Sequence, residues 1–122
     1  MSATLPRRND SSPPISPKQC RFIKLLAHLH LAYHRHEHAL PLLEGLHALF
    51  PGDVEVLKML AWARLQSHDY PGALESCRAY RDTVGERDEH APILLLEARA
   101  LWGLGEKQAA RQALADYLEN HP

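Results

Sequence analysis

The sequence predicts an all-α protein built from three stacked helix–turn–helix repeats. Three observations predict it. Apolar residues recur at helical spacings of three and four from Cys20 onward. Strand signals are absent: there is no alternating β-branched run and no Asn-Gly or Asp-Gly hairpin turn. The sequence also resembles itself at a fixed interval. When His-Glu-His-Ala-Leu (36–40) is laid on Tyr-Pro-Gly-Ala-Leu (70–74), Ala39 and Ala73 stand 34 residues apart.

Residues 1–18 precede the first helix. They hold four of the nine prolines (Pro6, Pro13, Pro14 and Pro17) and four serines. Such a stretch buries too little apolar surface to offset its ordering entropy, so a disordered leader is expected there and a helical domain over 19–122. The leader has no apolar h-region, so no secretory signal is expected.

The first repeat runs over 20–53. Leu25, Leu26, Leu29 and Tyr33 mark its first helix, and Ala39, Leu42, Leu43, Leu46 and Leu49 mark its second. The intervening turn falls at His34–Glu37. Pro41 lies in the second helix and is tolerable where that helix starts near Glu37, because the first four N–H groups lack an intrahelical acceptor. The second repeat runs over 54–87. Leu57, Leu60, Ala61 and Leu65 form its first helix, and Asp69 caps the second with Pro71 in its first turn. Ala73 and Cys77 take the positions where the two helices touch. The third repeat runs over 91–122, with Leu94, Ala98 and Leu101 in its first helix, Gly105 in the turn, and Ala110 and Leu114 in its second. Ala73 and Ala110 are 37 apart, so a three-residue insertion is expected in the polar stretch 85–90. Tyr80 and Tyr117 fall at the same frame position.

An interval of 34 residues is that of the tetratricopeptide repeat, whose paired helices carry small residues at their contact. Leu26 and Ala27 take that repeat's Leu-Gly place. Departures occur at His30, Arg64 and Leu101, where the repeat class has Tyr, and at Glu97, where it has Leu. Resemblance to this class implies a short right-handed superhelix whose concave groove is lined by the first helix of each repeat. The groove positions are then Arg21, Lys24, His28 and Leu31 in the first repeat. In the second they are Glu55, Lys58, Trp62 and Leu65, and in the third Pro92, Leu95, Arg99 and Trp102. Both tryptophans fall on this surface, which suits an extended or helical peptide. The other seat open to Trp62 and Trp102 is half-buried between helices. The far side of the last helix, with Ala113, Tyr117 and Leu118, is expected to want a partner, since stacked repeats end on a polar capping face.

Composition narrows the function. The chain has 122 residues, 45% hydrophobic and 24% charged, which is ordinary for a globular protein. With 14 Lys+Arg against 15 Asp+Glu, a net charge of −1 gives no electrostatic case for nucleic acid or an anionic membrane. No apolar run reaches the length of a membrane span. The chain lacks Gly-x-Ser-x-Gly, a P-loop and His-Glu-x-x-His, so no enzyme and no cofactor are expected. His30, His34 and His38 form two i, i+4 pairs, but the turn at His34–Glu37 interrupts them and no third ligand is spaced to join, so no metal site is expected. The His-rich sequence could make partner affinity sensitive to pH near 6–7, but nothing in it demands this. Cys20 and Cys77 form no Cys-x-x-Cys pair and are expected as reduced thiols, with Cys77 packed as a small apolar side chain.

Longer phrases carry a narrower resemblance. They are Lys-Gln-Cys-Arg-Phe-Ile-Lys-Leu-Leu-Ala-His-Leu (18–29), Glu-His-Ala-Leu-Pro-Leu-Leu-Glu-Gly-Leu (37–46), Phe-Pro-Gly-Asp (50–53) and Ala-Arg-Gln-Ala-Leu-Ala-Asp-Tyr-Leu (110–118). With the length and repeat number, these resemble the YscY/SctY family of bacterial type III secretion chaperones over about residues 18–120. The resemblance implies a cytoplasmic chaperone that binds a small secreted component of the YscX/SctX type. It would present that component to the cytosolic domain of the export-gate protein, at the inner-membrane apparatus but without inserting in the membrane. Two alternatives stand beside it: a needle-subunit or translocator chaperone of the same machinery, and a general tetratricopeptide-repeat adaptor.

Overall fold

The computed structural model describes residues 14–85 and 91–120, and among them every regular element is an α-helix. Six helices follow in order: α1 (Pro17–Ala32), α2 (His36–Leu49), α3 (Val54–Gln66), α4 (Tyr70–Val84), α5 (Ala91–Gly103) and α6 (Lys107–Asn120). Residues 1–13 of the expected leader, residues 86–90 of the stretch 85–90 expected to hold the insertion, and the closing Pro122 lie outside the described residues.

Local chemistry sets the helix starts. Ser16 opens α1 with a reciprocal cap: the Gln19 N–H donates to Ser16 Oγ (3.1 Å) and the Ser16 N–H donates to Gln19 Oε1 (2.8 Å). Pro17 fills the first helical position, where a missing N–H is harmless. The helix therefore begins two residues inside the segment 1–18 that composition had assigned to the leader. Asp53 caps α3 by accepting from the N–H groups of Glu55 and Val56, and Asp69 caps α4 by accepting from that of Gly72.

Pro41 departs from expectation. Helix α2 begins at His36, so Pro41 sits in its second turn, past the N–H groups that lack acceptors. The carbonyl of Glu37 loses its intrahelical donor. Both residues are exposed, so the loss falls outside the core.

Three turns have one design. His34, His68 and Gly105 each adopt a left-handed backbone, with φ of 59°, 63° and 84°. In each turn the left-handed residue's N–H reaches three residues back: His34 to Leu31, His68 to Leu65, Gly105 to Trp102, all at 3.0 Å. The following N–H reaches five back: Arg35 to His30, Asp69 to Arg64, Glu106 to Leu101. This paired bonding satisfies the last carbonyls of α1, α3 and α5. The three turns recur at the same intervals as Ala39, Ala73 and Ala110, all of which are buried.

Each helix packs on the next, and α3 also packs on α1 and α5. The core accordingly runs along the chain in overlapping clusters. Ala27, Leu31, Ala39, Leu43 and Leu46 of α1 and α2 pack on Val56, Leu60 and Ala63 of α3. Leu57 and Ala61 of α3 pack with Cys77, Tyr80, Val84 and Ile93. Leu65 packs with Ala73, Leu74, Ala100, Leu101, Ala110 and Ala113. Helix α3 takes part in all three.

Polar links join the layers. Lys24 of α1 pairs with Asp53 (2.6 Å) and Glu55 (3.0 Å) at the start of α3. Burial works against the Lys24 ammonium, but hydrogen bonds and charge from Asp53 and Glu55 outweigh it and hold its pKa above the ordinary value. Gln66 donates to the Leu31 carbonyl (2.8 Å). The departures from the repeat pattern also find partners. Arg64 donates to Ser76 Oγ (2.8 Å) and to the Gly72 carbonyl (3.3 Å), tying α3 to α4. The His30 ring stacks on His38 with centroids 5.1 Å apart, tying α1 to α2. Glu97, only 8% exposed, receives a 2.8 Å bond from Arg81, tying α5 to α4.

Helix α1 carries apolar residues on two sides. Ala27 and Leu31 face the core, while Phe22 (65% exposed), Leu25, Leu29 and Tyr33 (72% exposed) face away from it. The Leu25–Leu29–Tyr33 spacing read from the sequence thus marks a helix but not its buried face. Among the described residues no helix is long and apolar enough to cross a membrane.

Candidate functional site: an apolar cleft along α3, α5 and α6

The site is an open cleft of about 910 Å³. Helix geometry assembles it. Lys58, Trp62 and Leu65 lie four and three residues apart on α3, so they share one face. Pro92, Leu95, Arg99 and Trp102 do the same on α5, and on α6 Leu114 follows Ala110 by four residues and Arg111 by three. His28 reaches the rim from α1, and His68 and Tyr70 close the end at the α3–α4 turn.

The floor is made of buried side chains, Leu65 and Ala110, while Leu95, Leu114 and Trp102 (53% exposed) stand open above it. Trp62 is partly buried against the α1–α3 core and meets the His28 ring edge-on, with centroids 5.6 Å apart. His68 stacks on Tyr70. Lys107 lies over the Trp102 ring, 5.3 Å from its centre. An apolar basin with aromatic walls is chemically equipped to hold apolar side chains of a ligand.

The residues expected from the sequence to line a groove divide here. His28, Lys58, Trp62, Leu65, Pro92, Leu95, Arg99 and Trp102 do line the cleft. The question of where the tryptophans sit resolves unequally: Trp62 is a half-buried packing residue that also walls the cleft, and Trp102 is mostly exposed.

Four expected residues are not among those lining it, one of them Glu55, which pairs with Lys24. Leu31 is fully buried between α1, α2 and α3 and has no surface to offer. Lys24 is spent on Asp53 and Glu55. Arg21 is exposed on α1 but outside the cleft. Leu31 and Lys24 share a cause: α2 and α3 enclose the first, and the start of α3 pairs with the second. Sequence reasoning also missed Arg111 and Leu114 of α6, together with His68 and Tyr70. The repeat frame assigned the groove to the first helix of each pair, so a contribution from α6 had no signal in it. Of the residues expected on the far side of α6, Ala113 is buried, Tyr117 half-buried and Leu118 exposed.

Among the described residues, no three His, Cys, Asp or Glu side chains converge as metal ligands. Cys20 and Cys77 are both free thiols. Burial, followed by the nearby Glu97 charge, pushes the Cys77 thiol up to about 12.

No protein-family model matches the chain, and no curated protein does so either.

Proposed function

We propose that the protein is a non-enzymatic binding module: three tetratricopeptide-type repeats, wound as a short right-handed superhelix, that seat an apolar segment of a partner protein in the α3–α5–α6 cleft. One observation carries the reading. Two tryptophans and two exposed leucines from three helices converge on one open basin. The repeat assignment draws support from the three matched turns at His34, His68 and Gly105 and from the contacts of α3 with both α1 and α5.

In its specific form, the proposal is a cytoplasmic type III secretion chaperone. Its partner is a small secreted protein of the YscX/SctX type, held soluble and presented to the export gate's cytosolic domain. Support for this form comes from the phrases at 18–29, 37–46, 50–53 and 110–118 that resemble the YscY/SctY family.

Co-expression with the small secreted proteins of the host's secretion system tests it. A stable complex that Trp102→Ala dissolves, with the melting temperature of the free protein unchanged, is the expected result. A complex with an unrelated protein through the same cleft keeps the binding module and removes the secretion role. A complex insensitive to Trp102→Ala and Leu114→Ala removes the cleft.

A further inference from the structure

Charge in this molecule is distributed unevenly. The whole chain is nearly balanced, with 14 Lys+Arg against 15 Asp+Glu. Several cations in the fold have polar partners: the partly buried Lys24 has Asp53 and Glu55, the partly buried Arg64 has Ser76 and Gly72, and the exposed Arg81 has Glu97. The cleft gathers three cations without such partners. Lys58, Arg99 and Arg111 stand in its lining, one on each of α3, α5 and α6, and no described Asp or Glu lines it. None of the three makes an ion pair with a described residue; Lys58 has only the Tyr80 ring, 5.8 Å away.

We infer that the cleft selects an acidic amphipathic segment of a partner protein, one that sets apolar side chains between Trp62, Trp102, Leu95 and Leu114 and carboxylates against Lys58, Arg99 and Arg111. The inference rests on the binding-module reading and adds the charge of what is bound. Its physical basis is desolvation. A neutral or basic segment filling the basin strips water from three cations and returns nothing, whereas carboxylates accept charge-assisted hydrogen bonds from the Lys58 ammonium and the two guanidiniums. Complementary charge also favours the right partner over wrong ones, since a like charge placed there is repelled. Phosphates would answer the cations equally well. The aliphatic part of the lining, Leu95, Leu96 and Leu114 with Ala110, has no use for a nucleotide and favours a peptide.

The test uses the full chain and two synthetic amphipathic peptides with the same leucine and phenylalanine positions, one carrying Glu and the other Lys at its polar positions. A single-stranded oligothymidylate is the third probe. Binding is read from tryptophan fluorescence and from anisotropy of the labelled probe, at low and high salt. The Glu peptide is expected to bind at least about tenfold tighter than the Lys peptide, with the gap closing as salt rises. Arg99→Glu and Arg111→Glu are expected to reverse the preference while leaving the melting temperature in place. Arg99→Gln and Arg111→Gln, which add no negative charge, are expected to weaken the Glu peptide alone. Equal binding of the two peptides, or tighter binding of the Lys peptide, overturns the charge inference and leaves the binding module standing. Tighter binding of the oligothymidylate overturns it in favour of nucleic acid. If no probe binds, both the inference and the reading beneath it fall.

Discussion

The ring of Tyr70 occupies the space where a side chain on Gly103 would begin. A Cβ built on Gly103 would lie 2.5 Å from both Cδ1 and Cε1 of that ring, far inside van der Waals contact. The last residue of α5 can therefore approach the start of α4 only as glycine, and both residues line the cleft. Gly103→Ala is expected to destabilise the fold by about 1–3 kcal/mol by forcing the ring aside. In a Tyr70→Ala background the same change is expected to cost much less, because the obstacle is gone. Denaturant unfolding of the four proteins in this cycle checks the coupling, and additive costs would refute the steric account.

The Arg81–Glu97 pair spans α4 and α5 with Glu97 nearly buried. Removing the arginine leaves a buried carboxylate without its cation, so Arg81→Ala is expected to cost about 1–3 kcal/mol. Replacing the carboxylate itself is different. Glu97→Leu restores the apolar residue that the repeat pattern holds at this place and is expected to be neutral or mildly stabilising. Chemical denaturation measured on both variants distinguishes them by sign.

His34 and Gly105 hold equivalent left-handed positions, yet only one of them is the residue such a position favours. His34→Gly removes the clash of a side chain with the left-handed backbone and is expected to stabilise by about 0.5–1 kcal/mol. Gly105→Ala introduces that clash and is expected to destabilise by a similar amount. Thermal melts of the two variants should move in opposite directions.

Alkaline pH is expected to weaken the fold through Cys77. Its thiol is held near 12 in the folded chain, against an ordinary 9.0. Between those values the unfolded chain has lost the proton that the native chain keeps, so stability falls as pH rises, by about 1.4 kcal/mol per unit. Lys24 acts with the same sign at higher pH, since its raised pKa means the favourable charge is lost only above its ordinary 10.5. Cys77→Ala is expected to flatten the decline that begins near pH 9, at the cost of a slightly less filled core. Urea midpoints collected from neutral to alkaline pH supply the measurement.

Two leucines on α1 separate what helical spacing means from what burial does. Leu31 is sealed in the core, and Leu31→Ala is expected to cost about 2–5 kcal/mol. Leu25 faces outward, and Leu25→Ala is expected to change stability by less than about 0.5 kcal/mol. Equal losses in a denaturation experiment would show that the outer face of α1 is packed in solution.

Much of the architecture was legible in the sequence because it is encoded locally. Asp69 announces a helix start through its side chain, Gly105 announces a turn through its backbone freedom, and Ala39, Ala73 and Ala110 mark close helix contacts by their size. The facing of α1 was not legible, because it bears apolar residues on two sides and spacing alone does not say which side is covered. Part of the cleft was legible from the repeat frame: Lys58, Trp62, Leu95, Arg99 and Trp102 are where the frame puts them. Leu31 and Lys24 were misread because α2 and α3 enclose one and neutralise the other, and both effects come from tertiary neighbours. Arg111 and Leu114 escaped for the converse reason, being side chains that neighbours leave uncovered.

Helix α3 belongs to every core cluster, with Val56, Leu57, Leu60, Ala61, Ala63 and Leu65 all buried. It is the element that cannot be released while the rest stays folded. A ligand seated against Trp62 and Leu65 therefore binds a surface that disappears only on global unfolding, not on fraying of an end pair. Its binding energy is linked to the opening of the whole domain. Occupancy of the cleft should in consequence slow amide exchange in the slowest-exchanging protons of α3 and α4, including those at positions the ligand does not touch.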